Sequence, residues 1–178
     1  MREDTSTSSH GVARTARIRP VAPGDEAGVW RLITEFAAFV RHPDQATGSP
    51  ESLAAHLFGG AWPSVGGFVA EDDGTLVGYA IWFGTFSTFW TVPTLYLEDL
   101  YVAASHRGTG AGLALFRAVA REAVTRGCAR MHWSVLRWNA GAIEFYERGG
   151  AERDATEYSY HLDRDRLVAL VAEAGSGA

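Results

Sequence analysis

Residues 95–112, LYLEDLYVAASHRGTGAG, decide the predicted fold. The first eight are apolar or aromatic apart from Glu98 and Asp99, and this composition favours a β-strand over Leu95–Val102. Three glycines follow within five residues, and apolar residues then recur at helical spacing. The stretch therefore predicts a strand, a glycine-rich loop and a helix over Gly108–Arg126.

The glycine loop supports two interpretations. Glycines permit positive φ angles, and the unpaired N–H groups of a helix's first turn carry partial positive charge. The loop could therefore hold a phosphate or pyrophosphate, with Arg107 adding a charged contact. Glycine-rich turns before helices also occur for purely structural reasons. No Lys-Ser/Thr pair follows, so this is not a P-loop, and residues 108–113, GTGAGL, lack the dinucleotide-binding spacing.

The rest of the chain predicts an α/β fold with a sheet of mixed direction, because strands alternate with helices in its second half. The predicted order is β-α-α-β-β-β-α-β-α-β-α. The elements outside the opening stretch are a strand at Arg17–Pro20, a helix opened by Pro23-Gly24-Asp25, a helix from Ser49 as N-cap to about Phe58, a hairpin of GGFVAE and LVGYAIWF, an aromatic loop at Thr85–Pro93, a strand MHWSVL, a helix at Asn139–Arg148, a strand TEYSYHL and a helix DRDRLVALVAEA.

Length and composition limit the function classes. A chain of 178 residues suits one domain, and we expect a flexible tail over 1–16, a single domain over 17–174 and a loose tail over 175–178. The net charge of −5 argues against a nucleic-acid-binding surface. The single cysteine, Cys128, is expected to be a packing residue and fits a reducing, cytoplasmic setting. No apolar run is long enough for a membrane span or signal peptide, so we expect neither.

Two motifs identify a family resemblance. The loop has the pattern Arg-x-x-Gly-x-Gly, and WNAGAIEFYERGGA follows about 30 residues later. Together they resemble the GNAT superfamily of acyl-CoA-dependent N-acyltransferases. YLEDLYV, RGTGAG and GCARMHWSVLRWNAGAIEFYERGGA are similar, more narrowly, to the diamine (spermidine/spermine) N-acetyltransferases and their bacterial relatives. The resemblance implies a GNAT-like mixed, mostly antiparallel twisted sheet flanked by helices, and a homodimer formed through C-terminal strands.

The resemblance also implies acetyl-CoA as co-substrate and no metal. In the family the glycine loop holds the pyrophosphate of coenzyme A, and the preceding strand pairs its backbone with the pantetheine arm. The implied cofactor-binding residues are Leu100, Tyr101, Val102, Arg107, Gly108, Thr109, Gly110, Ala111, Gly112, Asn139 and Tyr146. Asn139 has a second role open to it, because asparagine is also a good helix N-cap.

Catalytic roles are expected for Tyr146 and Glu98. Tyr146 matches the family tyrosine that donates a proton to the coenzyme A sulfur, although its local sequence alone favours a packing aromatic. Glu98 would remove the amine's proton through water, or would be a carboxylate paired with an arginine or a backbone N–H. Asp99 would bind the amine or hold the architecture. The resemblance further implies that a backbone N–H near Leu100–Val102 polarises the thioester carbonyl at a strand bulge, whose position the sequence leaves open.

Strict strand alternation predicts which of these residues share a face. It places Leu95, Leu97, Asp99 and Tyr101 on one face of the sheet, and Tyr96, Glu98, Leu100 and Val102 on the other.

The acceptor pocket is where the chain departs from the polyamine enzymes. FGTFSTFW and the end of the first helix are expected to line it, with Phe86 and Trp90 as substrate-binding candidates or, alternatively, core residues. Neither region carries an acid, and Val40 stands where those relatives have a glutamate. The pattern favours a smaller or amino-acid-like amine over a long polyamine. The histidines show no metal-ligand spacing.

The sequence therefore predicts an N-acetyltransferase that moves an acetyl group from acetyl-CoA to a small primary amine by direct attack in a ternary complex. Two alternatives stay open. One is a non-catalytic acyl-CoA-binding module, and the other is acetylation of a protein lysine or N-terminus.

Overall fold

A computed structural model describes residues 16–60, 65–156 and 159–175. The chain divides after Ser134 into two compact units, and each is described by itself. The strands and α-helices are, in chain order, β1 (Arg17–Pro20), α1 (Glu26–Phe39), α2 (Pro50–Phe58), β2 (Gly66–Asp72), β3 (Thr75–Ser87), β4 (Val92–Val102), α3 (Ala111–Thr125), β5 (Met131–His132), α4 (Ala140–Arg148) and α5 (Arg164–Gly175).

The five strands form one sheet in the order β1-β2-β3-β4-β5. The first three pairings are antiparallel, and β4 pairs with β5 in parallel. The predicted mixed, mostly antiparallel sheet is therefore confirmed. The long β3–β4 hairpin forms its centre, and the short parallel pairing at β5 leaves most of β4 without a neighbour on that side.

Helices cover both faces of this sheet. On one face, Leu115 and Val119 of α3 pack in a cluster with Leu95 and Leu97 of β4. On the other face, Val29 and Leu32 of α1 join a second cluster that includes Tyr79 of β3 and Tyr101 of β4. Each fully buried aliphatic side chain contributes about 1.5–3 kcal/mol, so these two layers fix the position of β4.

Several predicted boundaries are wrong. Thr85–Pro93 is the end of a hairpin rather than a loop, since Phe86 pairs with Pro93 and the turn is confined to residues 88–91. Aromatic and threonine side chains suit a strand, and this preference extended the hairpin. The third helix begins at Ala111, because Gly110 takes the left-handed conformation that ends the loop. The strand MHWSVL is reduced to Met131–His132.

The last predicted strand, TEYSYHL, is not present in the described residues. Residues 159–162 carry no strand pairing, Thr156 lies in a bend, and residues 157 and 158 lie outside the described residues. A segment with alternating side chains forms a β-strand only where a neighbouring strand can hydrogen-bond to it, and the local sequence does not show whether such a neighbour exists. Of the two predicted tails, residues 1–15 and 176–178 also lie outside the described residues.

Candidate active site

A β-bulge interrupts β4 at Glu98. In the β3–β4 ladder Ile81 lies opposite Asp99 and Trp82 lies opposite Leu97, so Glu98 has no cross-strand partner. One extra residue on a strand kinks it locally and re-aims its side chains. The two adjacent acids of the opening sequence are thus the residues at which the regular ladder breaks.

The bulge overturns the predicted division of β4 into faces. Leu97 packs in the layer of α3, whereas Tyr101 packs in the layer of α1, although four residues separate them. Leu100 and Val102 belong to the α3 layer with Leu97. The prediction that Leu97, Asp99 and Tyr101 share a face is wrong because the extra residue shifts the two-residue period by one.

Asp99 lies on the α1 side, beneath the bulge. The hydroxyl of Tyr79 donates a hydrogen bond to Asp99 Oδ2 at 3.1 Å. Burial and the neighbouring charge of Glu98 raise the pKa of Asp99 to about 6, and the Tyr79 hydrogen bond opposes that rise. Burial also raises the pKa of Tyr79, so this hydroxyl stays protonated and acts as a donor at neutral pH.

Glu98 is exposed, unlike its neighbours on either side. Burial and the negative charge of Glu98 raise the pKa of both Asp99 and Tyr79. In the described part of the chain its carboxylate has neither a hydrogen-bond nor an ion-pair partner. Within residues 16–60, 65–156 and 159–175, Glu98 therefore has no arginine or backbone N–H partner, and its carboxylate can accept a proton from a donor outside these residues.

The half of β4 after the bulge has one open edge. The pairing with β5 stops at Tyr96. The N–H of Ala103 donates to the carbonyl of Val77 at 2.9 Å, so by alternation the N–H groups of Leu100 and Val102 point away from β3. Within the described residues no strand pairs with that edge, and these N–H groups can meet a carbonyl oxygen there.

Arg107 folds back onto the end of β4. Its Nε donates to the carbonyl oxygen of Val102 at 3.1 Å. Its guanidinium carbon lies 4.4 Å from the ring centroid of Phe39 at the end of α1 and 5.5 Å from that of Tyr101. One cation thus joins the strand end, the first helix and the glycine loop.

The glycine loop has the conformation expected of an anion cradle. Gly108 has φ of +79°, and Gly110, the N-cap of α3, has φ of +90°. Among the described residues, none of the backbone N–H groups from 108 to 113 donates a hydrogen bond. Consecutive N–H groups at a helix N-terminus favour a phosphate ligand. Thr109 Oγ1 donates to the carbonyl of His106 at 2.7 Å, which closes the loop upon itself.

Phe86 and Trp90 do not lie beside Glu98 along this hairpin. Phe86 is paired with Pro93, and Glu98 follows five residues later on β4, about 17 Å further along the strand. Phe86 is 62% exposed, and the ring of Trp90 lies 4.4 Å from the guanidinium carbon of Arg130. The structure places Glu98 and Asp99 at the bulge of β4, and Arg107 and the glycine loop after the end of the same strand, but leaves these two aromatic residues at the hairpin tip.

Sequence reasoning missed Tyr79 and Glu35. Glu35 on α1 raises the pKa of Tyr101 and forms an ion pair with Arg31. The signal for Glu35 was its position one helical turn before Phe39, which packs on Tyr101. No local signal distinguishes Tyr79 from a core aromatic, because its partner Asp99 is 20 residues away in sequence.

The second unit carries Asn139 and Tyr146. Asn139 caps α4, since its Oδ1 accepts the N–H of Ala142 at 3.2 Å, and the predicted N-cap is confirmed. Tyr146 lies in the last turn of α4, where its ring contacts Phe145 edge-on at 5.0 Å between centroids. The N–H groups of Gly149 and Ala151 both donate to the carbonyl of Tyr146, and the helix ends at Arg148, two residues after Tyr146.

These motifs, folded in this way, match a family. The sequence model described as "Acetyltransferase (GNAT) family" matches residues 30–151, which is more than half of the chain. The chain belongs to the GNAT acetyltransferase family. This GNAT chain is 36% identical to a thialysine N-epsilon-acetyltransferase of Sus scrofa over 168 residues, which cover 88% of this chain and 97% of the relative.

This acetyltransferase is also similar to a second curated protein and to a solved structure. It is 32% identical to the human spermidine/spermine N(1)-acetyltransferase-like protein 1, over 88% of this chain and 24% of that protein. Among solved structures, an integron cassette protein from the mobile metagenome of V. cholerae superposes with a TM-score of 0.74 at 25% identity, covering 89% of this chain and 98% of the other. The GNAT fold and the resemblance to the diamine acetyltransferase subgroup are confirmed.

The described residues offer neither a grouped set of metal ligands nor a helix that could span a membrane. Across residues 16–60, 65–156 and 159–175 of this GNAT enzyme, no three His, Cys, Asp or Glu side chains are grouped to hold a metal ion. In the same ranges no helix combines the length and the apolar character needed to cross a membrane.

Proposed function

We propose that this enzyme transfers the acetyl group of acetyl-CoA to the primary amine of a small molecule by direct attack in a ternary complex. The observation that carries the proposal is the bulge of β4 at Glu98. The bulge carries the carboxylates of Glu98 and Asp99, and the edge of β4 after it has no partner strand in the described residues. The glycine loop follows the same strand. One short segment thus offers donors for a phosphate, donors for a carbonyl and a base for an amine.

The cofactor end of the site is assigned to the loop and the open edge of β4. The N–H groups of residues 108–113 and the side chain of Arg107 would hold the pyrophosphate, and the edge at Leu100–Val102 would pair with the pantetheine arm. Acetyl-CoA supplies the activated thioester. Asn139 and Tyr146 are proposed cofactor contacts on the strength of the family motif.

In the proposed reaction Glu98 accepts a proton from the attacking ammonium, directly or through water. A primary amine has a pKa near 10, so it must lose this proton before it can attack at neutral pH. The N–H of Leu100 donates to the carbonyl oxygen as the new C–N bond forms, a contact of a kind worth about 3 kcal/mol. The C–S bond then breaks, and Tyr146 donates its hydroxyl proton to the departing sulfur. The attacking nitrogen, which still carries one extra proton, releases it to water as the amide forms, and water returns a proton to the Tyr146 phenolate.

The acceptor is proposed to be a short diamine or an amino-acid-like amine. The acceptors in the relatives' names, thialysine and spermidine/spermine, support a small amine. Val40 at the end of α1 stands where a long polyamine would need an acid, whereas Asp99 keeps negative charge at the bulge. Asp99 would bind the ammonium group. Phe86 and Trp90 stay predictions as acceptor contacts.

A panel of amines tests the proposed function. Purified protein is mixed with acetyl-CoA and either lysine-like amines, short diamines, spermidine, or a lysine-containing peptide, and release of free thiol is followed. We expect thiol release with at least one small amine. Binding of acetyl-CoA without amine-dependent thiol release would support the non-catalytic module, and activity on the peptide alone would support protein acetylation.

The chain itself gives a clean background for this panel. Its sixteen basic residues other than histidine are all arginine, so it has no lysine ε-amine to acetylate. Intact mass spectrometry of the enzyme after reaction would therefore report only its N-terminus. A Glu98→Gln variant is the matched control, because it keeps the shape of the side chain and removes the base.

We further infer a homodimer from the family resemblance and a cytoplasmic location from the single cysteine, which fits a reducing setting. Light scattering of the purified protein would give a mass of about twice the 19.3 kDa chain. A mass equal to one chain would contradict the dimer.

A further inference from the structure

Tyr79 carries a hydroxyl into an otherwise apolar layer. Tyr79 is the largest fully buried side chain among the described residues, and it packs in one cluster with Val29 and Leu32 of α1. A buried hydroxyl costs free energy unless it finds a partner, whereas phenylalanine would fill the same space without that cost. The partner here is the Oδ2 atom of Asp99, at 3.1 Å. The hydroxyl is thus explained by what it does to Asp99.

The bulge ties Asp99 to Glu98. In a regular strand, adjacent side chains point to opposite faces, and two neighbouring carboxylates would not act together. Here the extra residue breaks that alternation at Glu98, and burial together with the charge of Glu98 raises the pKa of both Asp99 and Tyr79. One of the two carboxylates is exposed to an incoming amine, and the other lies behind it in the layer of α1.

We propose that Tyr79 is a positioning residue for the acetyl-transfer reaction: its hydroxyl keeps the Asp99 carboxylate fixed and ionised behind Glu98, so that the bulge meets the ammonium group with two negative charges rather than one. This inference rests on the proposed function and adds to it a residue outside the family motifs. Tyr79 acts through Asp99 and does not touch the substrate.

The other charged groups near the layer of α1 influence Tyr101 rather than Asp99. From β3 and β4 the ionisable groups that act on Asp99 are Tyr79 and Glu98. From α1 Glu35 acts on Tyr101, as does Arg107 from the loop after β4. The helix α2 contributes Leu53 and Leu57, which are apolar, to the same layer. The pKa of Asp99 therefore depends on its burial, on Glu98 beside it in the strand and on the hydroxyl of Tyr79.

The arrangement has a consequence for pH. Burial and the charge of Glu98 raise the pKa of Asp99 to about 6, and the Tyr79 hydroxyl holds it from rising further. Below this pH the site loses one of its two charges. The acceptor amine stays fully protonated throughout this range, because its pKa is near 10. Any change in amine binding near pH 6 therefore reflects the titration of a group of the protein and not of the amine.

Steady-state kinetics across pH 5 to 8 tests the proposal, with an amine that the panel identifies. We expect the wild-type KM for the amine to rise severalfold below a midpoint near pH 6, while the KM for acetyl-CoA changes little. Tyr79→Phe should move the midpoint upward by about half a unit to one unit, since it removes one hydrogen bond to the carboxylate. Asp99→Asn should raise the KM at pH 7 and abolish the midpoint.

Tyr96→Phe is the matched control, because it removes a hydroxyl of β4 that bonds to Ser134 instead of Asp99. It should keep the wild-type midpoint. A midpoint that stays in place in Tyr79→Phe, or that persists in Asp99→Asn, would overturn the proposal.

A second measurement works without any acceptor. The carboxyl carbon of Asp99 can be followed by NMR in the free protein and assigned by its loss in Asp99→Asn. Titration near pH 6 that moves upward in Tyr79→Phe supports the proposal, and titration below pH 4.5 overturns it. If Asp99 titrates as expected but no amine is acetylated at any pH, the proposed function fails while the action of Tyr79 on Asp99 stands.

Discussion

Arg107 is anchored to Val102 by a 3.1 Å hydrogen bond from its Nε to the strand's last carbonyl oxygen. The bond holds the guanidinium beside the end of β4, over the ring of Phe39. Arg107→Lys keeps the charge but loses both the planar stacking and the fixed direction of the bond. We expect acetyl-CoA to bind about 10- to 100-fold more weakly, as measured by calorimetry.

The control for that prediction is Arg121→Lys, which changes an exposed arginine on α3. It should leave acetyl-CoA affinity unchanged. Equal affinities in wild type and Arg107→Lys would remove Arg107 from the cofactor site.

Gly110→Ala should damage both the loop and the fold. Gly110 has φ of +90°, where a Cβ atom adds about 1–2 kcal/mol of strain, and relief of the strain would turn the following N–H groups away from the ligand. We expect a loss of stability of that size in urea unfolding and at least about tenfold weaker acetyl-CoA binding. Gly84→Ala is the comparison, since a Cβ there meets no atom within 4 Å and needs no positive φ. Similar behaviour of the two variants would contradict the prediction.

Tyr146→Phe should lower kcat strongly and leave acetyl-CoA affinity nearly unchanged. Loss of a proton donor to the leaving sulfur removes a contribution of roughly 10²- to 10⁴-fold. The aromatic ring, which packs on Phe145, is retained. The experiment is a pair of measurements, steady-state turnover and cofactor binding, with exposed Tyr160→Phe as the reference substitution. Full turnover in Tyr146→Phe would show that another group or water protonates the sulfur.

Asp99→Asn should stabilise the fold at neutral pH. The pKa of Asp99 is about 6 in the folded chain and 3.8 without its surroundings, so the folded state binds this proton more tightly. Its contribution to stability is therefore fully present below about pH 4 and is lost as the pH rises through 6. Asparagine keeps an oxygen that can accept the Tyr79 hydrogen bond and removes the buried charge.

The gain in unfolding free energy at pH 7 is expected to be about 1–3 kcal/mol and to vanish near pH 4. Denaturant melts at both pH values measure it, with Asp44→Asn at an exposed position as control. A stability difference independent of pH would mean that packing, and not charge, separates the variants.

The sequence predicted the parts of the site that depend on local chemistry. The glycine loop was recognised because glycines accept positive φ angles, although the helix after it was predicted to begin at Gly108 and begins at Ala111, and Asn139 was recognised because asparagine is a good helix N-cap. The order of helices and strands followed from apolar periodicity over the same segments, and it placed the glycine loop between a strand and a helix correctly.

What the sequence could not supply depends on pairing between distant strands. The bulge at Glu98 exists because β3 offers one residue fewer than β4 between two fixed pairings, and neither strand reveals that alone. This register determines which face of the sheet Asp99 lies on, and so its hydrogen bond with Tyr79. It also places Phe86 near the tip of the hairpin. Prediction by strict alternation failed at Glu98, where one extra residue makes the strand irregular.

The early end of the β4–β5 pairing has a consequence for handling the protein. Beyond Tyr96 a central strand of the sheet has the exposed hydrogen-bonding groups of an outer strand, and such edges recruit strands from other molecules. Coenzyme A bound along Leu100–Val102, as proposed, would cap that edge. Solutions prepared with the cofactor should then resist self-association at concentrations where the empty protein aggregates.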